Sequence, residues 1–184
     1  MNIKLPSSLS SFHLFILLAA SSVLVMAPAA RAADTESSKP IIDIGMVVKD
    51  SDRTARFLTN VIGFKEVHGF PATSDLGKKI GLLNGQATQV RVFVLEDVAQ
   101  ATRLKVLAFP DAPGKQADQA YIHSTLGFRY LTLYVKDINR VLERVKKTGL
   151  SPLGESPVEI SAGTWLLTVK DPDGNFIELI GPRL

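Results

Sequence analysis

The chain has 184 residues, of which 46% are hydrophobic, and it contains no cysteine. The lack of cysteine excludes disulfide bonds, thiol catalysis and cysteine-based zinc sites, so the core alone must hold the fold. The formal net charge is only +3, and no basic stripe with interleaved aromatic residues is present, so we expect no nucleic-acid partner.

The N-terminus has the pattern of a secretory signal peptide. Residues 1–32 carry no acidic residue, and an apolar run from about Phe12 to Met26 precedes the small-residue motif Ala30-Arg31-Ala32. This pattern predicts cleavage before Ala33 and export, most simply to the periplasm, with a polar spacer over residues 33–40. The alternative is an uncleaved membrane anchor. In both cases we expect contact with a membrane only through this segment.

The rest of the chain contains an internal repeat. Val48-Lys49-Asp50 recurs as Val135-Lys136-Asp137, and each copy continues into an amphipathic pattern that ends at a glycine, Gly63 or Gly149. Each copy therefore predicts a strand, an N-cap at Asp50 or Asp137, a helix and a glycine stop. An aspartate suits the N-cap because its carboxylate accepts hydrogen bonds from the free N–H groups of the first turn.

Three β-like runs follow each predicted helix. They are Phe64–His68, Val90–Leu95 and Arg103–Phe109 in the first copy, and a poorly marked stretch near Leu153–Ile160, Trp165–Val169 and Phe176–Ile180 in the second. Both copies thus read β-α-β-β-β, which predicts an α+β fold. Neither sheet could cover both of its faces alone, so we expect the two modules to pair as a curled sheet around a cleft.

These elements predict one domain over residues 41–182. Module one spans 41–109, the linker spans 110–126 and module two spans 127–182. The long loop of module one is predicted to hold one short strand at Lys79–Leu83. Long loops in compact domains are often binding elements, although plain connection is an equally open interpretation of the loop and the linker.

The last two predicted strands flank the turn sequence Asp171-Pro172-Asp173-Gly174-Asn175. Pro172 presets φ, and Gly174 or Asn175 can adopt a positive φ, so this sequence predicts a tight hairpin. In the strand that follows, Glu178 stands alone among apolar residues. Such a carboxylate is paired, ligating or catalytic, because burying it alone costs too much free energy.

The repeat and the hairpin together resemble the vicinal oxygen chelate superfamily, which includes glyoxalase I, bleomycin-resistance proteins and extradiol dioxygenases. The resemblance covers about residues 41–182. It implies four metal-ligand positions, on the first and last strands of each module, that face the cleft and are usually occupied by His, Gln or Glu. The matching positions of this chain are Asp43, Lys105, Tyr130 and Glu178.

Strand alternation agrees with this assignment. Ile42, Ile44 and Met46 would face the helix while Asp43 faces the cleft, since successive side chains of a strand point to opposite faces. Leu104 and Val106 flank Lys105 in the same way.

The set departs from a metal site at Lys105, because an ammonium group repels a divalent ion unless it is deprotonated. No histidine is at a matching position. Three interpretations stay open. The residues form a metal-free polar cluster in which Lys105 replaces the charge of the metal, or Asp43, Glu178 and Tyr130 hold a divalent metal, or Lys105 reaches solvent and no shared site exists.

Other residues give weaker signals. Arg91 and Arg103 lie on neighbouring predicted strands and could bind an anionic ligand, although exposed arginines on a sheet are common. The loop residue His123 could reach the mouth of the cleft but is more simply explained as solvated. A further group could line an apolar pocket, with core packing as the default: Phe93, Phe109, Tyr134 and Trp165.

The signal-peptide pattern predicts an exported protein, and the resemblance implies that it binds a small organic molecule in the cleft between the modules. Because Lys105 stands at a ligand position, we expect no tightly bound metal or other cofactor. The alternative is a metal-dependent lyase or isomerase, similar to a glyoxalase or dioxygenase but with a non-standard ligand set. Glu178 would then be the catalytic residue. We expect a small-molecule partner and allow for a homodimer.

Overall fold

A computed structural model describes residues 36–184. The predicted signal peptide and the first three residues of the predicted spacer lie outside the described residues. Within them, residues 37–184 form one compact unit. No helix in this part of the chain combines the length and the apolar character needed to cross a bilayer.

The two predicted β-α-β-β-β modules are present. Module one contains β1 (Asp43–Val48), α1 (Ser51–Phe57), which continues as a π-helical segment (Leu58–Ile62), β2 (Lys65–Ala72), α2 (Ser74–Lys79), β3 (Thr88–Val94) and β4 (Arg103–Ala108). Module two contains β5 (Tyr130–Tyr134), α3 (Ile138–Lys147), β6 (Val158–Ser161), β7 (Thr164–Lys170) and β8 (Phe176–Gly181).

Each module forms a four-stranded mixed sheet with the same topology. The strand orders are β1-β4-β3-β2 and β5-β8-β7-β6. In both sheets the first strand runs parallel to the last, and the other pairs are antiparallel. The α+β fold class and the two-module architecture predicted from the repeat are therefore confirmed.

The predicted helix starts are confirmed as well. The carboxylate of Asp50 accepts hydrogen bonds from the backbone N–H groups of Asp52 and Arg53, and Asp137 accepts one from Asn139. The bond from Arg53 makes the largest contribution to lowering the pKa of Asp50 below its ordinary value, and the bond from Asp52 adds to it. Both caps hold the carboxylate against the first free N–H groups of a helix, as the sequence pattern requires.

The two modules share one hydrophobic core, in which α1, its π-helical extension and α3 cover the sheets. Module one contributes Val48, Phe57, Leu58, Val61, Phe93, Leu104 and Val106, and module two contributes Leu133, Ile138, Val141, Val145, Leu167, Ile177 and Leu179. Arg144 of α3 also donates hydrogen bonds to the carbonyl oxygens of Val61 (2.8 Å) and Ile62 (3.3 Å). The modules therefore pair through their helices.

Two details of the sequence analysis are wrong. Lys79–Leu83 is not a strand: α2 occupies Ser74–Lys79, because the Thr73 side chain caps it by accepting from the backbone N–H of Leu76, and a turn follows. Ile42 does not face the helix, because it precedes β1 and is 67% exposed.

Candidate functional site

Strand alternation gives each sheet a core face and an opposite face, which we call the open face. In module one, Leu104 and Val106 are buried in the core, and Ile44 packs against it. Asp43 and Lys105 therefore lie on the open face, because successive side chains of a strand point in opposite directions. The orientation predicted for these two residues is thus the one observed.

Asp43 and Lys105 form an ion pair across β1 and β4. The Lys105 Nζ lies 2.8 Å from the Asp43 Oδ2, and the two side chains are 31% and 33% exposed. The hydrogen bond from Lys105 holds the pKa of Asp43 below its ordinary value. On another side, the same Nζ lies 5.9 Å from the centroid of the Phe70 ring. The ammonium group is thus held between a carboxylate and an aromatic face.

Module two presents a second polar row on its open face. Thr132, Glu178 and Thr168 are Cα partners on the neighbouring strands β5, β8 and β7. The Thr132 hydroxyl donates a 2.8 Å hydrogen bond to the Glu178 Oε2. Tyr130, two residues before Thr132, is half exposed, and its side chain makes no hydrogen bond within residues 36–184. Glu178 is therefore a paired carboxylate, with a threonine partner that the sequence analysis did not identify.

The four candidate residues thus form two half-sites. Asp43 and Lys105 make the first, and Tyr130 and Glu178 share the open face of the second sheet. Within residues 36–184 no hydrogen bond or ion pair joins one half-site to the other. A shared cluster of all four side chains remains a prediction.

The donor set does not fit a divalent metal. No group of three or more His, Asp or Glu side chains in the described part of the chain could hold one. Lys105, whose ammonium has no lone pair to give, stands at one of the four ligand positions and neutralises Asp43 at another. His123 lies elsewhere, in the linker, where it stacks on Tyr121 with ring centroids 5.6 Å apart.

Arg91 has a structural role that removes it from the candidate ligand-binding residues. Its guanidinium donates to both oxygens of Glu66 at 2.6 and 2.8 Å, to Asp52 at 2.7 Å and to the backbone carbonyl of Ser51 at 3.1 Å. The hydrogen bond to Glu66 is the largest of the contributions that raise the pKa of Arg91 above its ordinary value. Arg91 therefore ties β2 and β3 to the start of α1.

The aromatic residues singled out from the sequence divide between core and surface. Phe93 is fully buried and Trp165 packs against the core, as the default interpretation predicts. Tyr134 is 80% exposed. Phe109 lines a cavity between β1, the linker and the β7–β8 turn.

The fold has many relatives among solved structures. A glyoxalase family protein from Bacillus cereus superposes with a TM-score of 0.69 at 20% identity, over 84% of this chain and 100% of that one. A glyoxalase/bleomycin resistance protein/dioxygenase domain from Frankia gives 0.55 at 18% identity, over 81% and 94%. Glyoxalase I of Leishmania major gives 0.55 at 19% identity, over 78% and 87%. At these identities the likeness shows the fold alone.

At the level of sequence, comparison with proteins of curated function finds no significant match. The family model of the Glyoxalase/Bleomycin resistance protein/Dioxygenase superfamily matches residues 41–179. This range includes module one, the linker, all but the last three residues of module two, and the four candidate positions. The chain therefore belongs to the Glyoxalase/Bleomycin resistance protein/Dioxygenase superfamily.

Proposed function

We propose that this protein is exported and binds a small organic molecule on the open faces of its two modules, without a tightly bound metal. The observation that carries this proposal is the ion pair between Lys105 and Asp43. It places a fixed positive charge at a position where the fold family implies a metal ligand. While Lys105 is paired with Asp43, neither group is available to a divalent ion.

The groups around the ion pair suit an organic ligand. Phe70 and Tyr130 are each about half exposed and offer aromatic surface on the open faces. Thr132 and Glu178 offer polar atoms that are partly buried and already oriented by their mutual hydrogen bond. Apolar surface with a few placed polar groups is the usual composition of a small-molecule site.

The alternative is a metal-dependent lyase or isomerase, and one observation favours it. Glu178 occupies a family ligand position, and its side chain is held in a single orientation by Thr132. In that case Glu178 would hold the metal with Asp43 and Tyr130, after Asp43 had released Lys105. The metal would supply Lewis-acid activation of an oxygen on the substrate.

The two candidates make opposite predictions about metal. We expect purified protein, prepared without chelator, to carry well under one equivalent of any divalent metal by elemental analysis. Replacing Lys105 with glutamate should raise the Ni²⁺ affinity measured by calorimetry at least about tenfold, because two carboxylates then meet where an ion pair stood. Lys65→Glu, on β2 of the same sheet, is the matched control with the same change in charge.

The same variants test the organic ligand. Fragments that bind the wild-type protein by ligand-observed NMR should lose binding in Lys105→Glu and keep it in Lys65→Glu. Near-stoichiometric Zn, Ni, Mn or Fe in the wild-type protein that is lost in Glu178→Gln would contradict the metal-free binding protein. It would favour the metal-dependent lyase or isomerase.

A short segment at the end of the linker exposes several apolar side chains. Four large apolar side chains within eight residues of the chain are half to fully exposed: Tyr121, Ile122, Leu126 and Phe128. We propose that a second copy of this chain covers them, because exposed large apolar side chains that cluster in one segment are typical of an interaction site.

Mass spectrometry of protein from the periplasmic fraction of the native host tests both export and association with a second copy. Under denaturing conditions the mass should be that of a chain starting at Ala33, and under native conditions it should be that of a dimer. A full-length chain in the membrane fraction would show a retained anchor instead. A monomer at micromolar concentration would contradict the proposed second copy.

A further inference from the structure

A cavity of about 660 Å³ lies at the carboxyl end of β1, away from the four candidate residues. Its walls come from the ends of β1 and β4, from the linker between residues 113 and 119, and from the β7–β8 turn. Asp43, Lys105, Tyr130 and Glu178 do not line it. The volume lies within the range of small-molecule sites in proteins.

The walls of this cavity are fixed to one another by hydrogen bonds. The backbone N–H of Lys49 donates to the Asp173 Oδ2 at 2.9 Å, which joins β1 to the turn. The linker joins the same turn twice, from Gln116 to the Asp173 carbonyl at 3.1 Å and from Gln119 to Asn175 at 2.9 Å. A ligand would therefore enter a site that is already formed, which lowers the entropic cost of binding.

The charge around the cavity favours an anion. Lys49 and Lys115 line it, and neither makes an ion pair within residues 36–184. Asp173 is its only acidic lining residue, and one of its oxygens already accepts from the Lys49 backbone. The described lining thus carries two cationic side chains and one carboxylate, one oxygen of which already has a hydrogen-bond donor.

The remaining lining favours an apolar body on that anion. Val47 lies in β1 but is 56% exposed. Phe109, Pro110 and Pro113 line the same cavity. Burying this surface under a ring or a short alkyl chain is favourable at about 25 cal/mol per Å² of apolar area. Gln116 has a side-chain oxygen without a described partner, which leaves one acceptor for orientation.

We propose that this cavity is a second ligand site, which takes a small amphipathic organic anion such as an aromatic or aliphatic carboxylate or sulfonate. The site is independent of the proposed function, because it shares no residue with the Asp43–Lys105 and Tyr130–Glu178 half-sites. Its polar wall comes from the hairpin turn and linker, so a ligand there would bridge the two modules.

The probe for the test is 8-anilinonaphthalene-1-sulfonate, an aromatic anion that fluoresces on binding apolar surface. It should bind saturably with about one equivalent per chain. The double variant Lys49→Met with Lys115→Met should weaken binding about tenfold at low salt, which corresponds to roughly 1.4 kcal/mol from two partly exposed charges. The affinity for the uncharged probe N-phenyl-1-naphthylamine should be the same in this double variant as in the wild-type protein.

A second variant tests the cavity by shape. Val47→Trp fills the space from an exposed strand position and should abolish saturable binding while the melting temperature stays near that of wild type. Lys65→Met and Lys79→Met, exposed lysines that do not line the cavity, are the charge controls and should bind the probe like wild type. Phe128→Ser controls for adsorption of the probe to the exposed apolar residues of segment 121–128.

Three results would each overturn the proposal. The first is the absence of saturable probe binding. The second is binding that survives both Val47→Trp and the lysine double variant. The third is binding that is lost in Phe128→Ser, since the probe would then report the exposed segment 121–128 rather than the cavity.

Discussion

Replacing Asp171 with asparagine should lower the free energy of unfolding by about 2–3 kcal/mol, the range for losing a buried hydrogen bond to a charged group. Asp171 is only 6% exposed and organises the β7–β8 turn. Its Oδ1 accepts from the backbone N–H groups of Asp173 (2.9 Å) and Asn175 (2.8 Å), and its Oδ2 accepts from the Asn175 side-chain amide at 2.8 Å. Asparagine keeps one acceptor oxygen but turns an NH₂ toward the NH₂ of Asn175.

The amide of Asn175 cannot simply turn around to accept this new donor. Its Oδ1 accepts from the Gln119 Nε2 at 2.9 Å, and the Gln119 Oε1 accepts from the Arg129 guanidinium at 2.6 Å. A carboxylate that only accepts stands at one end of this chain of amides, and a guanidinium that only donates stands at the other. Both ends therefore fix the direction of every bond between them, and a reversal would set two donors against each other at Arg129.

A double-mutant cycle tests this explanation. In Asp171→Asn with Asn175→Asp the carboxylate moves one position along the chain and can accept from both neighbours, so the double variant should regain most of the lost stability. Asn175→Asp alone should be destabilising, since it sets two carboxylates side by side. Asp97→Asn, on an exposed loop, is the matched control. Additive effects of the two single changes in urea melts would contradict a polarised chain.

The burial of Asp171 should also affect how the free energy of unfolding depends on pH. Desolvation raises the pKa of Asp171 above its ordinary value and outweighs its hydrogen bonds from Asn175 and Asp173. Between the ordinary value and the raised value, the folded chain binds more protons than the unfolded chain, so stability should fall as the pH rises through this window. The Asp171→Asn variant should lack this contribution to the slope.

The sequence predicted the parts of the fold that depend on short-range patterns. The repeat of Val48-Lys49-Asp50 at Val135-Lys136-Asp137 gave both strand ends and both helix caps, because capping and alternation are properties of neighbouring residues. The hairpin is observed as well, with Gly174 at φ 87° in the turn. The open-face position of Asp43 and Lys105 followed from the same alternation.

The contacts of the candidate site depend on residues far apart in the chain, which local patterns do not encode. Glu178 bonds to Thr132, 46 residues away, and Gln119 of the linker bonds to Asn175, 56 residues away. Thr132 could have been found, since it lies two residues after Tyr130 on the same face of β5. The error at Lys79–Leu83 arose because a short apolar run does not distinguish strand from turn, and the capping residue Thr73 was overlooked.

The exposure of the Asp43–Lys105 pair also changes what its removal should cost. From the sequence alone, a buried cluster would lose about 3–5 kcal/mol when one partner is removed. Both side chains are about one-third exposed, so solvent screens the pair and Lys105→Met should cost only about 1 kcal/mol or less. We therefore expect the pair to contribute little to stability.

The second large effect is expected at the contact between the modules. Replacing Arg144 with methionine should lower the free energy of unfolding by about 2–3 kcal/mol, because it leaves partly buried carbonyl groups without a donor. The guanidinium of Arg144 bonds to the carbonyls of Val61 and Ile62, at the end of the π-helical segment. A cation at that position also interacts favourably with the negative end of the helix dipole.

Two further variants separate the hydrogen bonds from the packing of the side chain. Arg140→Met, one turn earlier on α3, removes a guanidinium that is 82% exposed and makes a long ion pair of 3.6 Å with Asp137. The free energy of unfolding should therefore change by no more than about 0.5 kcal/mol. Arg144→Lys keeps the charge but offers one donor group in place of the planar fork, so it should recover only part of the loss. Urea denaturation of the three variants measures these free energies of unfolding. If Arg144→Met costs no more than Arg140→Met, the bridge between α3 and the π-helical segment does not hold the modules together, and their pairing rests on the shared apolar core alone.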